Sequence, residues 1–247
     1  MELLGKLMVS KLILGAIWIG FTAYTLWIAP LDRPYTWFVG KQLLSFNWIA
    51  LNAFIPAIFW LMGIWSMIYG CLMFADGRMQ RFRAWPYFLG SNFTGVMCLL
   101  PYLILRQSNQ EFHGRLDPVL RFFERQATGF AMLLITLGLI AYALIAGDWQ
   151  DYLQQFQTRA FVHLISLDFC CMALILPVTS LLKDDMARRG WSHRPMIFWS
   201  VALVPLFGPL LYLCFRPPLI RSSTTEYSQE NSQQSATPDH SSTSLLL

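Results

Sequence analysis

The chain has 247 residues, of which 55% are hydrophobic and 13% charged, about half the charged share of an ordinary soluble domain at roughly 25%. So little polar surface cannot cover a soluble fold, which excludes that class. A net charge of +4 gives no reason to expect a nucleic-acid partner, and the expected surroundings are a lipid bilayer.

Six apolar runs lie at about 12–29, 48–75, 85–105, 127–147, 160–182 and 196–215, each near the length that a membrane helix needs. Trp27, Trp48, Trp85, Trp149 and Trp199 stand at or near their ends, as an aromatic belt would. The expected fold is therefore all-α: a polytopic transmembrane helix bundle of about six spans over residues 1–219. Its membrane, plasma or thylakoid-type, is left open. Lys6 and Lys11 give the first run a basic flank, but its apolar part is too long for a cleaved signal and no small-x-small site follows, so an uncleaved anchor is expected. The third run has a polar centre, Gly90-Ser91-Asn92-Phe93-Thr94-Gly95. Six full crossings divide the lysines and arginines ten against eight. A re-entrant third run divides them thirteen against five, with the N-terminus inside. Six crossings is the default expectation, with residues 76 and 107 on opposite sides. No internal repeat is evident. Residues 220–247, rich in Ser, Thr and Gln, read as a disordered tail.

The only acidic or basic side chain within the six runs, histidine aside, is Asp168. A carboxylate there costs roughly 2.5–3.5 kcal/mol on insertion scales, so it needs a partner or a function. His163 precedes it by five residues, which turns it about 140° away around a helix, so the two face separate partners. Either both are hydrogen-bonded structural groups, or Asp168 marks a binding or proton-linked site, with His163 as a second carrier or orienter. Beyond that helix, Asp184 with Arg188 and Asp185 with Arg189 form i,i+4 pairs before Gly190. They read as a capped helix extension or as a site that grips an anionic headgroup or a metal. In the last run Pro205 and Pro209 should kink the helix beside Gly208, which can line a site or serve packing.

Enzyme motifs are sparse. Asp76-Gly77-Arg78-Met79-Gln80-Arg81 followed by Gly90 partly resembles the CDP-alcohol phosphatidyltransferase signature. Gln80 replaces its alanine, and its two later acids fall on Thr94 and Cys98, so two divalent ions could not be held. The five cysteines and four histidines have no metal-ligand spacing, so no metal is expected and no cofactor is indicated.

His163-x4-Asp168-Phe169, an acid at Asp184 or Asp185, and Gly208-Pro209 before Tyr212-Leu213 and Arg216 together resemble the C-terminal half of the neoxanthin-synthase-like proteins of plants and cyanobacteria. The likeness covers about 60 residues. It lacks that family's glycine-arginine-tryptophan run, His193 is shifted, and six spans exceed the family's usual number. The resemblance implies a small multi-span protein linked to carotenoid metabolism. The expected function is an intramembrane polar site in the fifth and sixth spans that binds or isomerises an isoprenoid pigment or lipid. A scaffold for membrane-protein partners and a small-molecule transporter are the alternatives.

Overall fold

The computed structural model describes residues 2–29, 33–114, 116–192 and 194–220. The expected tail and His193 lie outside the described residues. Within them α1 (Glu2–Ala23) runs on into a π-helical turn, Tyr24–Ile28, and is followed by α2 (Arg33–Leu44), α3 (Phe54–Asp76), α4 (Trp85–Thr94) and α5 (Val96–Leu105). Then come α6 (Pro118–Glu124), α7 (Gln126–Ala146), α8 (Trp149–Thr158), α9 (Ala160–Val178), α10 (Leu181–Ala187), α11 (Pro195–Leu203) and α12 (Phe207–Phe215). Among the described residues four stretches are helical, long and apolar enough to cross a membrane: Met8–Ile28, Phe54–Asp76, Gln126–Ala146 and Ala160–Val178. Apolar side chains such as Leu134, Ile135, Leu144 and Ile145 point outward from α7, as lipid-facing residues do.

The third and sixth apolar runs differ from the expected single helices. Each is a pair of antiparallel half-helices that starts and finishes at the same end of the bundle. In the first pair, Gly95 takes φ 56° and ψ −126°, a backbone region open essentially to glycine alone. The chain turns back there, so that Tyr87 lies against Tyr102 with ring centroids 5.7 Å apart, and the Gln107 amide donates to Gln80 Oε1 at 2.8 Å. In the second pair, Pro205 and Pro209 flank a break in the helix, where a kink was expected. Leu206 has φ 66° and ψ −59°, and the Phe207 amide donates to the Pro205 carbonyl at 2.7 Å. These are the features of a γ-turn, a strained one for a non-glycine residue. The returning arm brings the Ile220 amide within 3.0 Å of the Arg188 carbonyl. Residues 76 and 107 therefore lie at one end of the bundle, contrary to the six-crossing expectation.

The prolines also decide which backbone groups need outside partners. Pro101 inside α5 cannot bond the carbonyl of Met97, and the indole of Trp18 on α1 donates to it at 3.0 Å. Pro209 sits in the first turn of α12, where its missing N–H is one fewer donor to satisfy.

The chain contains an internal repeat that its residue identities conceal. In each half a long helix leads to one end of the bundle, a second long helix returns from it, and a half-helix pair follows: α1, α3 and α4–α5 in the first half, α7, α9 and α11–α12 in the second. The first long helix packs on the second arm of its own pair in both halves, α1 on α5 and α7 on α12. Helix α2 precedes α3 in the chain as α8 precedes α9. The anchoring residues recur at matched spacing, Asp76-x5-Phe82-x3-Pro86-x15-Tyr102-Leu103-x2-Arg106 and Asp185-x5-Trp191-x3-Pro195-x16-Tyr212-Leu213-x2-Arg216. The two halves meet where α3 packs against α9 through Trp65, Ile68, Tyr69, Met172 and Ile175. There the Tyr69 hydroxyl donates to the Met172 carbonyl at 2.8 Å.

Candidate functional site: two ionic clamps, a capped turn and a cleft

At the end of the bundle where both half-helix pairs begin and finish, each repeat closes on a buried carboxylate. Asp76, the last residue of α3, accepts from Arg106 Nε at 3.0 Å and Nη2 at 2.6 Å, from the Tyr102 hydroxyl at 2.7 Å and from Arg188 Nη2 at 2.5 Å. Arg106 also reaches Asp184 at 2.7 Å and Ser180 at 2.7 Å. The second clamp repeats the plan. Asp185 accepts from Tyr212 at 2.6 Å and Arg189 Nε at 2.9 Å, with Arg216 Nη1 at 3.5 Å. Glu124 closes it, at 2.8 Å from Arg189 and 3.0 Å from Arg216. Even the i,i+4 contact recurs, since Gln80 donates to Asp76 at 3.2 Å as Arg189 donates to Asp185.

Each clamp holds two carboxylates and two guanidiniums, so each is neutral. A balanced, hydrogen-bonded set of this kind is what makes buried charges tolerable. The seven-residue α10 and the two residues after it serve both, because the adjacent residues Asp184 and Asp185, and likewise Arg188 and Arg189, point to opposite clamps. The expected pairing therefore holds in one case of two. Asp185 pairs with Arg189 at i,i+4, whereas Asp184 pairs with Arg106 and Arg188 with Asp76. All four are buried and bonded to protein groups. Gly190 ends α10 at φ 78°, as a C′ glycine does.

Burial pushes the Asp185 carboxyl up, but Arg189 and Arg216 outweigh it and hold it at about 2, well below an unfolded value near 3.9. A depressed folded value stabilises the fold in full above the unfolded value and loses that contribution as pH falls through about 2. Thermal unfolding in detergent should accordingly be insensitive to this group from pH 7 to 5 and weaken below about pH 4. Asp185→Asn should unfold more readily at pH 7 and lose that acid limb.

Asp168 and His163 face different partners, as their spacing requires. His163 Nε2 and the Tyr24 hydroxyl are 2.7 Å apart, beside the ring of Phe156. Asp168, 4% exposed, accepts the Val96 amide at 2.9 Å and so caps the first turn of α5 from another helix, where the helix dipole also favours a negative group. A Cβ on Gly95 would overlap this carboxylate. The tip of the first half-helix pair thus supplies the partner that a carboxylate at this depth demands. Pro205, Gly208 and Pro209 form the tip of the second pair, roughly 12 Å from the clamps along nine residues of α12. A Cβ on Gly208 would meet the Val201 carbonyl, so the glycine lets the arms close. The expected site residues consequently divide into a cap, a hydrogen-bonded histidine, two clamps and a turn.

A cleft of about 550 Å³ opens on the clamp end between α3, α4 and α6. Phe74, Phe88 and Phe123 form its floor, with Phe74 and Phe123 stacked at 4.6 Å and Phe88 edge-on to both. Leu89, Trp85 and Val119 stand exposed along its wall. Arg78, Arg83 and Asp117 stand on its rim. Asp117 caps α6 through the Leu120 amide and pairs with Arg78, and these contacts hold its carboxyl below the ordinary range. The sequence reading missed this site; its signal was the basic run Arg78, Arg81 and Arg83 directly before Trp85. Comparison of the chain with protein-family models, characterised proteins and solved structures returns no match.

Proposed function

We propose that this is a four-crossing integral membrane protein with two re-entrant helix pairs, and that it binds an amphipathic small molecule in the cleft between α3, α4 and α6. The arms of each pair have nine or ten residues, roughly 15 Å of helix, which is half of a hydrocarbon core about 30 Å thick. Entering and leaving on one side, they would turn near mid-depth. Non-helical backbone there needs partners within the protein, and the Asp168 cap is one. With both pairs re-entrant, fifteen of the eighteen lysines and arginines fall on the clamp side, against the near-even split of six crossings. That asymmetry supports reading the clamp side as the cytoplasmic or equivalent face. Reporters fused after Asp76, after Gln107 and at the C-terminus should all read that face, and one inserted after Gly147 the other. Opposite readings at Asp76 and Gln107 would restore the six-crossing arrangement.

The observation that carries the functional reading is the cleft itself, an aromatic floor under a charged rim. Its volume falls in the range of small-molecule sites. The likeness to carotenoid-linked proteins adds isoprenoids to the lipids as candidate occupants. Extraction in mild detergent followed by mass spectrometry should find an amphiphile with the wild-type protein and much less with Val119→Trp, which fills the cleft from an exposed wall position. Equal retention by this variant would sink the cleft as the site, and a stoichiometric protein partner in its place would favour a scaffold.

A further inference from the structure

The rim of the cleft defines the head of its occupant. Among the described residues Arg83 makes no hydrogen bond or ion pair, although it stands at the mouth of a cleft in a protein whose other rim arginine, Arg78, is paired with Asp117. Both guanidiniums are exposed, so neither bears a burial cost that would need an internal partner. One carboxylate against two arginines leaves a net positive mouth. Trp85 begins α4 two residues beyond Arg83, and Phe88 and Leu89 lie about one turn, roughly 5 Å, further along it. A charged group at Arg83 therefore stands directly above an apolar wall. Tryptophan at a helix start is an interfacial residue, which sets the arginines at the level of lipid headgroups.

Resting on the cleft as the binding site, we infer that its occupant is a phosphate-headed amphiphile whose phosphate is held between Arg78 and Arg83 and whose chain runs along Trp85, Leu89 and Phe88. Planar guanidinium forks match phosphate oxygens in pairs, which a zwitterionic or uncharged head would use less well. The clamp face carries most of the basic residues, so anionic lipids are also concentrated where the cleft opens. Asp117 is the competitor, because Arg78 must exchange its carboxylate for the phosphate. Asn at this position can keep the α6 cap while removing the competing charge. Lipid and soluble phosphates share the headgroup chemistry and differ in the chain.

The test is native mass spectrometry and thermal shift of the full chain in detergent. The probes are phosphatidic acid, phosphatidylcholine and diacylglycerol with the same acyl chains, with glycerol 3-phosphate and inorganic phosphate as soluble probes. Phosphatidic acid should bind at least about tenfold tighter than diacylglycerol, the double variant Arg78→Gln/Arg83→Gln should erase that preference, and Asp117→Asn should strengthen it several-fold. Val119→Trp should weaken both lipids. Equal binding of phosphatidic acid and diacylglycerol, each blocked by Val119→Trp, would overturn the headgroup assignment and leave the cleft standing. Loss of the Val119→Trp effect would remove the cleft as well. An arginine-dependent shift by inorganic phosphate or glycerol 3-phosphate without lipid binding would overturn the amphiphile in favour of a soluble phosphate.

Discussion

Asp76→Asn should cost about 3–5 kcal/mol, the range for removing one partner from a buried ion pair. Arg106 and Arg188 both donate to this carboxylate, and without its charge Asp184 is the only carboxylate left in the clamp. Unfolding in detergent, followed by chemical denaturation or heat, should show the variant as one of the least stable at the clamp end. Asp117→Asn provides the control on the same face, because its pair with Arg78 is exposed and exposed pairs contribute about 0–1 kcal/mol. The double variant Asp76→Leu/Arg106→Met should recover more than half of the loss, since it removes opposite charges together and leaves Arg188 with Asp184. Equal losses from Asp76→Asn and Asp117→Asn would mean that the buried clamps do not secure the half-helix pairs.

The hydrophobic runs were legible in the sequence because hydropathy depends only on composition along a window, and all six exist as helical, apolar segments. Whether a run crosses or turns back was not legible in the same way. A twenty-residue apolar stretch has the same hydropathy folded at its middle as it has extended, so the decision rests on a few backbone-specific residues. Gly90 to Gly95 announced the first turn, since a polar, glycine-bounded centre suits a tip. Pro205 and Pro209 announced the second only as a kink, because proline removes a helical bond without saying how far the chain will bend.

The clamps were hidden for another reason. Asp76 and Arg188 are 112 positions apart, and although the run Asp184 to Arg189 stood out, nothing in the sequence joins it to Asp76 or Arg106. What Asp76 and Arg106 share with Asp185 and Arg216 is spacing relative to an aromatic residue, a proline and a Tyr-Leu pair. The rest of the two halves has diverged, because any apolar residue serves a lipid-facing position. Asp168 was expected to need a partner, and the partner is a backbone amide of α5, which side-chain motifs cannot reveal.

The variants at that contact should have the largest effects of any at membrane depth. Gly95→Ala places a methyl group onto the Asp168 carboxylate and forces an L-residue into backbone angles worth about 1–3 kcal/mol of strain. The turn of the first half-helix pair cannot form as it stands, and the variant should fail to accumulate as folded protein or unfold at a much lower temperature. The Asp168 series then separates the cap from a proton-linked role. Asp168→Asn keeps an oxygen that can accept the Val96 amide, so its stability should stay within about 1 kcal/mol of wild type, as expected for loss of charge assistance alone. Asp168→Leu leaves that amide unpaired at membrane depth and should cost about 1–3 kcal/mol. If Asn and wild type also match in amphiphile content and in any associated phenotype, the carboxylate acts through its hydrogen bond to the turn. A folded Asn variant that loses bound ligand would instead show that the ionisable group itself is needed, and would return the polar centre of α9 to the functional site.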